Sequence, residues 1–364
     1  MTTRRRLRLL FTTRAFGGGG AERVWATLAD RFAARGDEVV LAIDLDGGRP
    51  SFADPTNPRV VILGSGHLRA TRRLADILRE FRPDVALAAI SGSCVKLVAA
   101  SALAGTRTPV VVSYHGFQEY LTGRLAKLAY WGMPAMNRRA ARIVTVSDGL
   151  RRELIERWGA DPAKTLRIYN PATIDLGDAA STAADLAVRP DVVLAAGRLS
   201  HEKGVDVLID AFARVKRPGA RLVIAGDGGE RAKLTRQARD LGIADRVTFL
   251  GQVDDVRALY RQTRVLAVPS RTEAFGMVLV EALAHGLPIV ATACTGPTEI
   301  LDGGRFGRLV PVEDPASLAA GIDIALADPG DPRPRFARAE TYSFEKGFGE
   351  WERLVNEIVA TSEA

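Results

Sequence analysis

Cysteine, histidine and aromatic residues are what the 364-residue sequence has least of: two Cys, four His and an aromatic content of 6%. Cys94 and Cys294 lie far apart with no further thiol between them. That excludes a disulfide framework, a thiolate zinc site and a paired redox motif, and a reducing cytoplasmic compartment is the expectation. Long apolar runs are also lacking; stretches such as Val85 to Ile90 are strand-sized. At the N-terminus arginines precede apolar residues, as in a signal peptide. The apolar stretch is broken by Arg8 and stops at Phe11, short of an h-region, so neither a leader nor an integral membrane protein is expected. With few aromatics and no recognised nucleic-acid motif, a nucleic-acid partner is not expected either.

What is present is enough chain for two domains, each with its own core. A hydrophobic content of 47% and a charged content of 26% are ordinary for a globular protein. The net charge of +7 is unevenly spread: residues 1–170 hold 27 Lys and Arg against 15 Asp and Glu, the remainder 23 against 28. A basic first half calls for an anionic surface, and anionic lipid is the better candidate.

Short β-rich runs alternate with amphipathic helical windows throughout, the pattern of parallel sheets covered by helices. In the first half strands are expected near 6–13, 38–44, 59–63, 84–90, 109–114, 142–147 and 165–169. Helices are expected over 21–35, 69–81, 92–104, 121–141 and 148–158. After Asn170-Pro171 the rhythm dissolves into small and polar residues, read as a linker over 173–190. It restarts at 191 and runs to 342. The implied division is a first domain over 1–172 and a second over 191–342. A last helical window, ending the chain over 343–364, is expected to cross back onto the first domain.

The most specific constellation is PSRTEAFGMVLVEALAHGLPIVAT, residues 269–292. A strand ends at Pro269-Ser270, a loop carries Glu273, and a helix begins near Phe275-Gly276. The first turn of that helix offers backbone N–H groups and a positive dipole end to phosphate or sugar oxygens. Gly276 permits close approach of backbone to ligand. Glu281 follows Glu273 by eight positions, about two helical turns, so the two carboxylates suit different parts of an extended ligand. Taken alone, they also fit a solvated loop Glu and a helix-face Glu.

This segment closely resembles the signature of family-4 retaining glycosyltransferases, which adopt the GT-B architecture: two Rossmann-like, doubly wound parallel-sheet domains facing a cleft. The resemblance implies that Glu273 lies beside the donor sugar and Glu281 binds the ribose hydroxyls. It also implies that the backbone amides of Phe275, Gly276, Met277, Val278 and Leu279 bind sugar and diphosphate oxygens.

A second constellation, AAGRLSHEKGVDVLIDAF over 195–212, delivers Arg198 from a strand end and Lys203 from the following loop. Two cations there suit a diphosphate, whose charge rises as it leaves; Arg forks two oxygens and Lys adds a mobile point charge. The family places this pair on the donor diphosphate. In GGGGAER, residues 17–23, the resemblance assigns Gly19 and Gly20 to the diphosphate side, Gly17 and Gly18 lengthening the loop. His115, after the strand 109–114, sits where ligands gather in open α/β sheets. Related transferases carry a His here against the donor sugar. The turn VIAGDGGE (223–230) is read as scaffold, and LGQVDD (250–255), with Val253, as the place where the family holds the base. His201 and His285 are read as a loop residue and a helix-end cation.

Over 121–142, Leu121, Leu125, Leu128 and Trp131 mix with Arg124, Lys127, Arg138 and Arg139. Two readings stay open: a packed helix with a basic solvated face, or an interfacial helix on an anionic membrane. No metal or other cofactor is expected, since the basic pair and the helix start can hold the diphosphate without a cation. The nucleotide sugar is a substrate, and the stretch 292–314, with Gly296, Pro297 and Glu299 shaping the donor-side loop, resembles bacterial members that build surface polysaccharides or lipid-linked oligosaccharides. A UDP-sugar donor and a saccharide or lipid-linked acceptor follow from that likeness. A nucleotide-sugar epimerase of the same fold and a non-enzymatic nucleotide-binding adaptor are the alternatives.

Overall fold

The computed structural model describes residues 5–15, 19–45, 57–117, 123–173, 183–253 and 255–363. Gly17, Gly18, Leu121 and half of the segment 173–190 read as linker (174–182) fall outside them. The chain divides into two compact units, one of residues 1–171 with 345–364 and one of residues 172–344. Within the expected linker, the helix Ala183–Ala187 carries a fully buried Leu186, so part of that segment is packed structure. Among the described residues no helix is long and apolar enough to cross a membrane.

The first unit is built on a seven-stranded sheet of order β3-β2-β1-β4-β5-β6-β7. Its strands are β1 (Arg8–Thr13), β2 (Glu38–Ile43), β3 (Arg59–Ile62), β4 (Val85–Ala89), β5 (Val110–Tyr114), β6 (Ala140–Thr145) and β7 (Thr165–Arg167). All pair in parallel. The central strands are apolar on both faces because helices cover both; β4 and β5 are buried at every position. The final helix, Phe344–Glu363, packs in this unit: Trp351 meets Trp25 edge-on with centroids 5.2 Å apart, and Phe348 lies 4.9 Å from Phe32.

The single helix expected over 121–141 is two helices, Arg124–Trp131 and Met133–Arg139. Pro134 explains the break: it lacks an N–H, and its ring clashes with the carbonyl one turn earlier in a continuous helix. Gly132 sits at the joint, where an added Cβ would lie 2.5 Å from the Leu128 carbonyl oxygen.

The second unit holds a six-stranded parallel sheet of order β10-β9-β8-β11-β12-β13. Its strands are β8 (Val192–Ala196), β9 (Arg221–Ala225), β10 (Val247–Gly251), β11 (Val265–Val268), β12 (Ile289–Thr292) and β13 (Arg308–Val310). The chain winds outward from β8 to β10, returns to pair β11 with β8, and winds outward the other way. That reversal puts a crevice at the carboxyl ends of β8 and β11, the place where open α/β sheets bind ligands. The first sheet reverses in the same manner between β1 and β4.

Candidate active site

Both specific motifs run into the β8/β11 crevice. Gly197 and Arg198 follow β8, and the short 3-10 turn His201–Lys203 carries the second cation. Pro269 and Ser270 follow β11, Glu273 lies in the loop beyond, and the helix Met277–Ala284 starts after Gly276. Arg198, Lys203, Glu273 and Val278 line one hollow there, floored by Ala195 and Ala267. Arg198 is exposed at the mouth of this hollow. Lys203 Nζ donates to Glu273 Oε2 at 2.5 Å. The sequence put these groups on different parts of a donor; the structure pairs them with each other.

Glycines hold the crevice together by letting backbone touch backbone. At Gly204, with φ of +63°, a Cβ would stand 2.1 Å from the Pro269 carbonyl oxygen, so the Lys-Gly step seals the β8 loop against the end of β11. In the AGDGG turn, Cβ atoms at Gly226 and Gly228 would stand 1.8 Å and 2.3 Å from the carbonyl oxygens of Gly197 and Leu199. Leu199 N donates to Asp227 O, and Glu230 N returns to Leu199 O. This turn supports the Arg198 loop from behind.

Arg271 ties the two motifs further. It donates to both carboxylate oxygens of Asp206 at 2.8 Å each, to the His201 carbonyl at 2.7 Å, and to Glu313. The Arg271 hydrogen bonds hold the Asp206 carboxyl below the usual carboxylate range despite its partial burial. Burial also pushes the Glu202 carboxyl up, but the Ser200 hydroxyl and the charges of Arg198 and Lys203 outweigh it and the net shift is downward. Both carboxylates are therefore ionised and the loops are fixed before any donor arrives. Gly296 N donates to Glu273 O at 2.8 Å, tying the start of the helix Thr295–Ile300 to the Glu273 loop. Burial drives the Cys294 thiol up to about 11, and it is no nucleophile at neutral pH.

At the helix start, Phe275 is buried edge-on against Tyr342, centroids 5.6 Å apart, so its side chain is core and only its backbone can face a ligand. Gly276, with φ of +97°, turns the chain into the helix. The amides of Met277 and Val278 open the first turn, whereas Leu279 N donates to Gly276 O at 3.0 Å. Glu281 is part-buried and accepts from Tyr260 Oη at 2.8 Å. His285, read as a helix-end cation, is buried: its Nδ1 lies 2.8 Å from the Glu281 carbonyl and its ring 5.1 Å from Tyr260. Val253 follows β10 at the sheet margin, beside a residue outside those described.

The remaining expected residues belong to the first unit. Gly19 caps the helix Gly20–Ala34, following β1 at the switch of that sheet. His115 leaves the end of β5; Ser113 Oγ lies 3.0 Å from its Nε2 and Trp25 meets its ring edge-on. Burial lowers its pKa to about 4, with Asn170 opposing, so it is a neutral imidazole at pH 7. Arg124, Lys127, Trp131, Arg138 and Arg139 are all exposed. Tyr260, Arg271 and Asp206 were missed in the sequence. Arg271 stands inside the quoted PSRTEAFG motif, two places before Glu273; Tyr260, in ALYRQT, reads as any core aromatic.

A crevice at a parallel-sheet switch, carrying two cations, a carboxylate and a helix start, is suited to an anionic ligand. Comparison with known proteins agrees: residues 181–341 match the model for glycosyl transferases group 1, and residues 18–176 that for glycosyltransferase family 4. The chain belongs to the family-4 glycosyltransferases of GT-B fold. It is 32% identical over 232 residues to an uncharacterized glycosyltransferase of Methanocaldococcus jannaschii, covering 60% of this chain and 59% of that one. It is 34% identical over 234 residues to the D-inositol 3-phosphate glycosyltransferase of Mycobacterium tuberculosis, covering 61% of this chain and 48% of that one. These matches span only about half to three-fifths of those relatives' length. Among solved structures, Anabaena HepE in complex with UDP-glucose aligns with a TM-score of 0.82 at 23% identity over 98% of this chain and 100% of its own. Sucrose-phosphate synthase from Thermosynechococcus elongatus aligns with a TM-score of 0.82 at 21% identity over 98% and 100%. At those identities the likeness is one of fold.

Proposed function

We propose that the chain transfers a hexose or N-acetylhexosamine from a nucleotide diphosphate sugar, with UDP as the nucleotide, to a saccharide or lipid-linked acceptor in cell-surface glycan assembly. The observation that carries this reading is the meeting of Arg198, the Lys203–Glu273 pair and the start of the helix Met277–Ala284 at the β8/β11 switch. HepE, similar in fold, was solved with UDP-glucose, which favours UDP.

In this reading the donor diphosphate lies against Arg198 and the amides of Met277 and Val278. Lys203 exchanges Glu273 for phosphate oxygens and releases the carboxylate toward the sugar. As the sugar–phosphate bond breaks, negative charge grows on the leaving phosphate, and preorganised cations stabilise it more than they stabilise the ground state. The leaving phosphate takes the acceptor proton on the same sugar face, so the anomeric configuration is retained. The two side-chain cations and the helix dipole supply the positive charge, and no divalent cation is required. Glu281, fixed by Tyr260, takes the ribose hydroxyls, and neutral His115 serves the donor sugar as a hydrogen-bonding group. A peripheral seat on an anionic membrane is part of the proposal, supported by the exposed Leu128 and Trp131 among basic residues.

Stabilisation of the fold by UDP-, GDP- and ADP-sugars in a thermal-shift panel identifies the donor by mass action. With that donor, Arg198→Ala and Lys203→Ala are each expected to lower kcat/KM by about a hundredfold or more, in EDTA as well as without it. Melting temperatures should stay near that of the wild type. Turnover close to wild type in both variants would remove the diphosphate assignment. Isomerised donor formed without acceptor would make the protein an epimerase, and binding without turnover an adaptor.

A further inference from the structure

The amino edge of the second unit's sheet, opposite the β8/β11 crevice, carries a cluster of arginines. The chain enters β13 through DGGRFGR, residues 302–308. Asp302, Gly303 and Gly304 have φ of +51°, +65° and +105°, so the backbone curls tightly before the strand. The curl leaves Arg305 and Arg308 lining one hollow with Arg335, from the helix Arg333–Glu340. The hollow is about 540 Å³ in volume, within the range of small-molecule sites. Neither motif nor family likeness above gives these arginines a role.

Each of the three is held in place, yet none has a carboxylate at hydrogen-bond distance among the described residues. Arg335 Nη2 donates to the carbonyl oxygens of Pro329 at 2.6 Å and Gly330 at 3.2 Å. Its Nε is buried with no hydrogen-bond partner among the described residues. Burial pulls the guanidinium down to about 10, with Asp331 and Asp328 opposing, so it stays charged at neutral pH. Those two acids are engaged elsewhere: Asp331 accepts from Arg333 with both oxygens, and Asp328 Oδ1 accepts from Gly330 N. A guanidinium drawn out of water beside carbonyls alone is costly to keep, and an anion would offset that cost. Arg308 lays its stem over Gly321 of the helix Pro315–Ala327, where a Cβ would stand 3.0 Å from Arg308 Cδ. Arg305 lies over the Phe306 ring, 5.3 Å from its centroid, and Asp302 is 3.8 Å away in a weak, exposed pairing. Three arginines against Asp331 leave the lining with a surplus of two positive charges.

We infer that this hollow is a second anion site, apart from the donor crevice, which takes a small molecule by a phosphate group on Arg335, Arg308 and Arg305. The inference does not rest on the transferase reading. A phosphomonoester carries a charge of about −1.5 to −2 at neutral pH, which matches the surplus, and guanidinium forks meet phosphate oxygens two at a time. The half-buried Arg335 favours a ligand that enters the hollow over a flat surface of lipid or protein, which would meet only the exposed Arg305 and Arg308. The phosphate has two sources, inorganic diphosphate or an organic phosphomonoester.

The test is calorimetric titration of the full-length chain, with UDP saturating so that the donor crevice is occupied. One arm uses inorganic diphosphate beside citrate, the other glycerol 3-phosphate beside glycerate, so that each phosphate compound is matched with a carboxylate. A preference of about tenfold or more for the phosphate compound is expected in one arm or both, and the arm identifies the source. Arg308→Gln and Arg335→Met should each weaken that binding about tenfold, while UDP affinity stays within about twofold. Arg308 is exposed, so its substitution remains informative even where Arg335→Met fails to fold. Equal binding of phosphate and carboxylate in both arms, no binding in either, or binding indifferent to Arg308→Gln overturns the inference. Failure of the wild type to bind UDP would instead overturn the donor reading, and the response to Arg308→Gln would still decide this one.

Discussion

Glu281 and His115 show how a buried neighbour decides what a polar group can do. Glu281 has one oxygen committed to Tyr260, whose ring is fully buried and stacked near His285. A carboxylate held this way has a fixed orientation, as the proposed grip on a pair of ribose hydroxyls requires. Tyr260→Phe removes the hydroxyl and keeps the ring, so packing is retained while the carboxylate gains freedom. A hydrogen bond to a charged group contributes about 1.5–3 kcal/mol; part of that loss should appear as a donor KM raised by about tenfold with kcat little changed. A donor with 2′,3′-dideoxyribose should erase the difference between variant and wild type. If the difference persists with that donor, Tyr260 acts on something other than the ribose contact. His115 gives a pH signature. Burial lowers its folded pKa to about 4 from a reference of 6.5. Between those values the unfolded chain binds a proton that the folded chain refuses. Its contribution is therefore complete above pH 6.5 and lost as pH falls toward 4. From 1.36 kcal/mol per unit, this one group should cost the wild type about 2 kcal/mol between pH 7 and pH 5. Urea unfolding of His115→Asn at the two pH values should show a smaller loss by that amount.

At the scale of elements, the helix Arg124–Trp131 is the one whose outer face asks for a partner. Arg124, Lys127, Leu128 and Trp131 follow the i, i+3, i+4, i+7 spacing of one face and are exposed, with Trp131 at 74% and Leu128 at 53%. Arg138 and Arg139 extend the positive charge along the next helix. An interfacial Trp and Leu within basic residues is the arrangement of a helix lying on anionic lipid. Flotation with phosphatidylglycerol vesicles should recover the chain, Trp131→Ala should weaken partitioning about tenfold, and added salt should weaken it further. No flotation, or flotation indifferent to Trp131→Ala, would leave this face simply solvated. The same element marks a limit of what the sequence shows. Hydrophobic spacing made one helix of 121–141 and passed over Gly132 and Pro134, where the structure places the break. Strands behaved otherwise: β4, β5, β8 and β11 stand out as apolar runs because parallel strands are buried on both faces. The motif loops were legible for a different reason, since Arg198, Lys203, Glu273 and Gly276 sit at fixed offsets from those strands. Their partners were not: Lys203 with Glu273, Arg271 with Asp206 and Tyr260 with Glu281 are 70, 65 and 21 positions apart, and nothing local joins them.

At the scale of the whole molecule, two parallel sheets of seven and six strands follow from the repeated strand–helix rhythm, but chain order and unit membership differ at the end. The final helix belongs with the first unit, although it follows the second in sequence. It buries Phe348, Trp351, Leu354, Val355 and Ile358, each 7% exposed or less. At about 1.5–3 kcal/mol per buried large side chain, these five contribute on the order of 10 kcal/mol. That is comparable to the entire net stability of an ordinary domain. Ending the chain at residue 343 should therefore unfold the first unit and spare the second. The tryptophans make the outcome readable, because all four (Trp25, Trp131, Trp158 and Trp351) lie in the first unit. The shortened chain should show red-shifted tryptophan emission and no cooperative tryptophan transition in urea. Circular dichroism should still report a transition from the second unit, with a midpoint that rises with UDP, because Arg198, Lys203, Glu273 and Glu281 are all in that unit. A native-like tryptophan spectrum in the shortened chain would show that the helix merely covers a core able to stand without it. Loss of both transitions would show that the second sheet depends on the first for its stability.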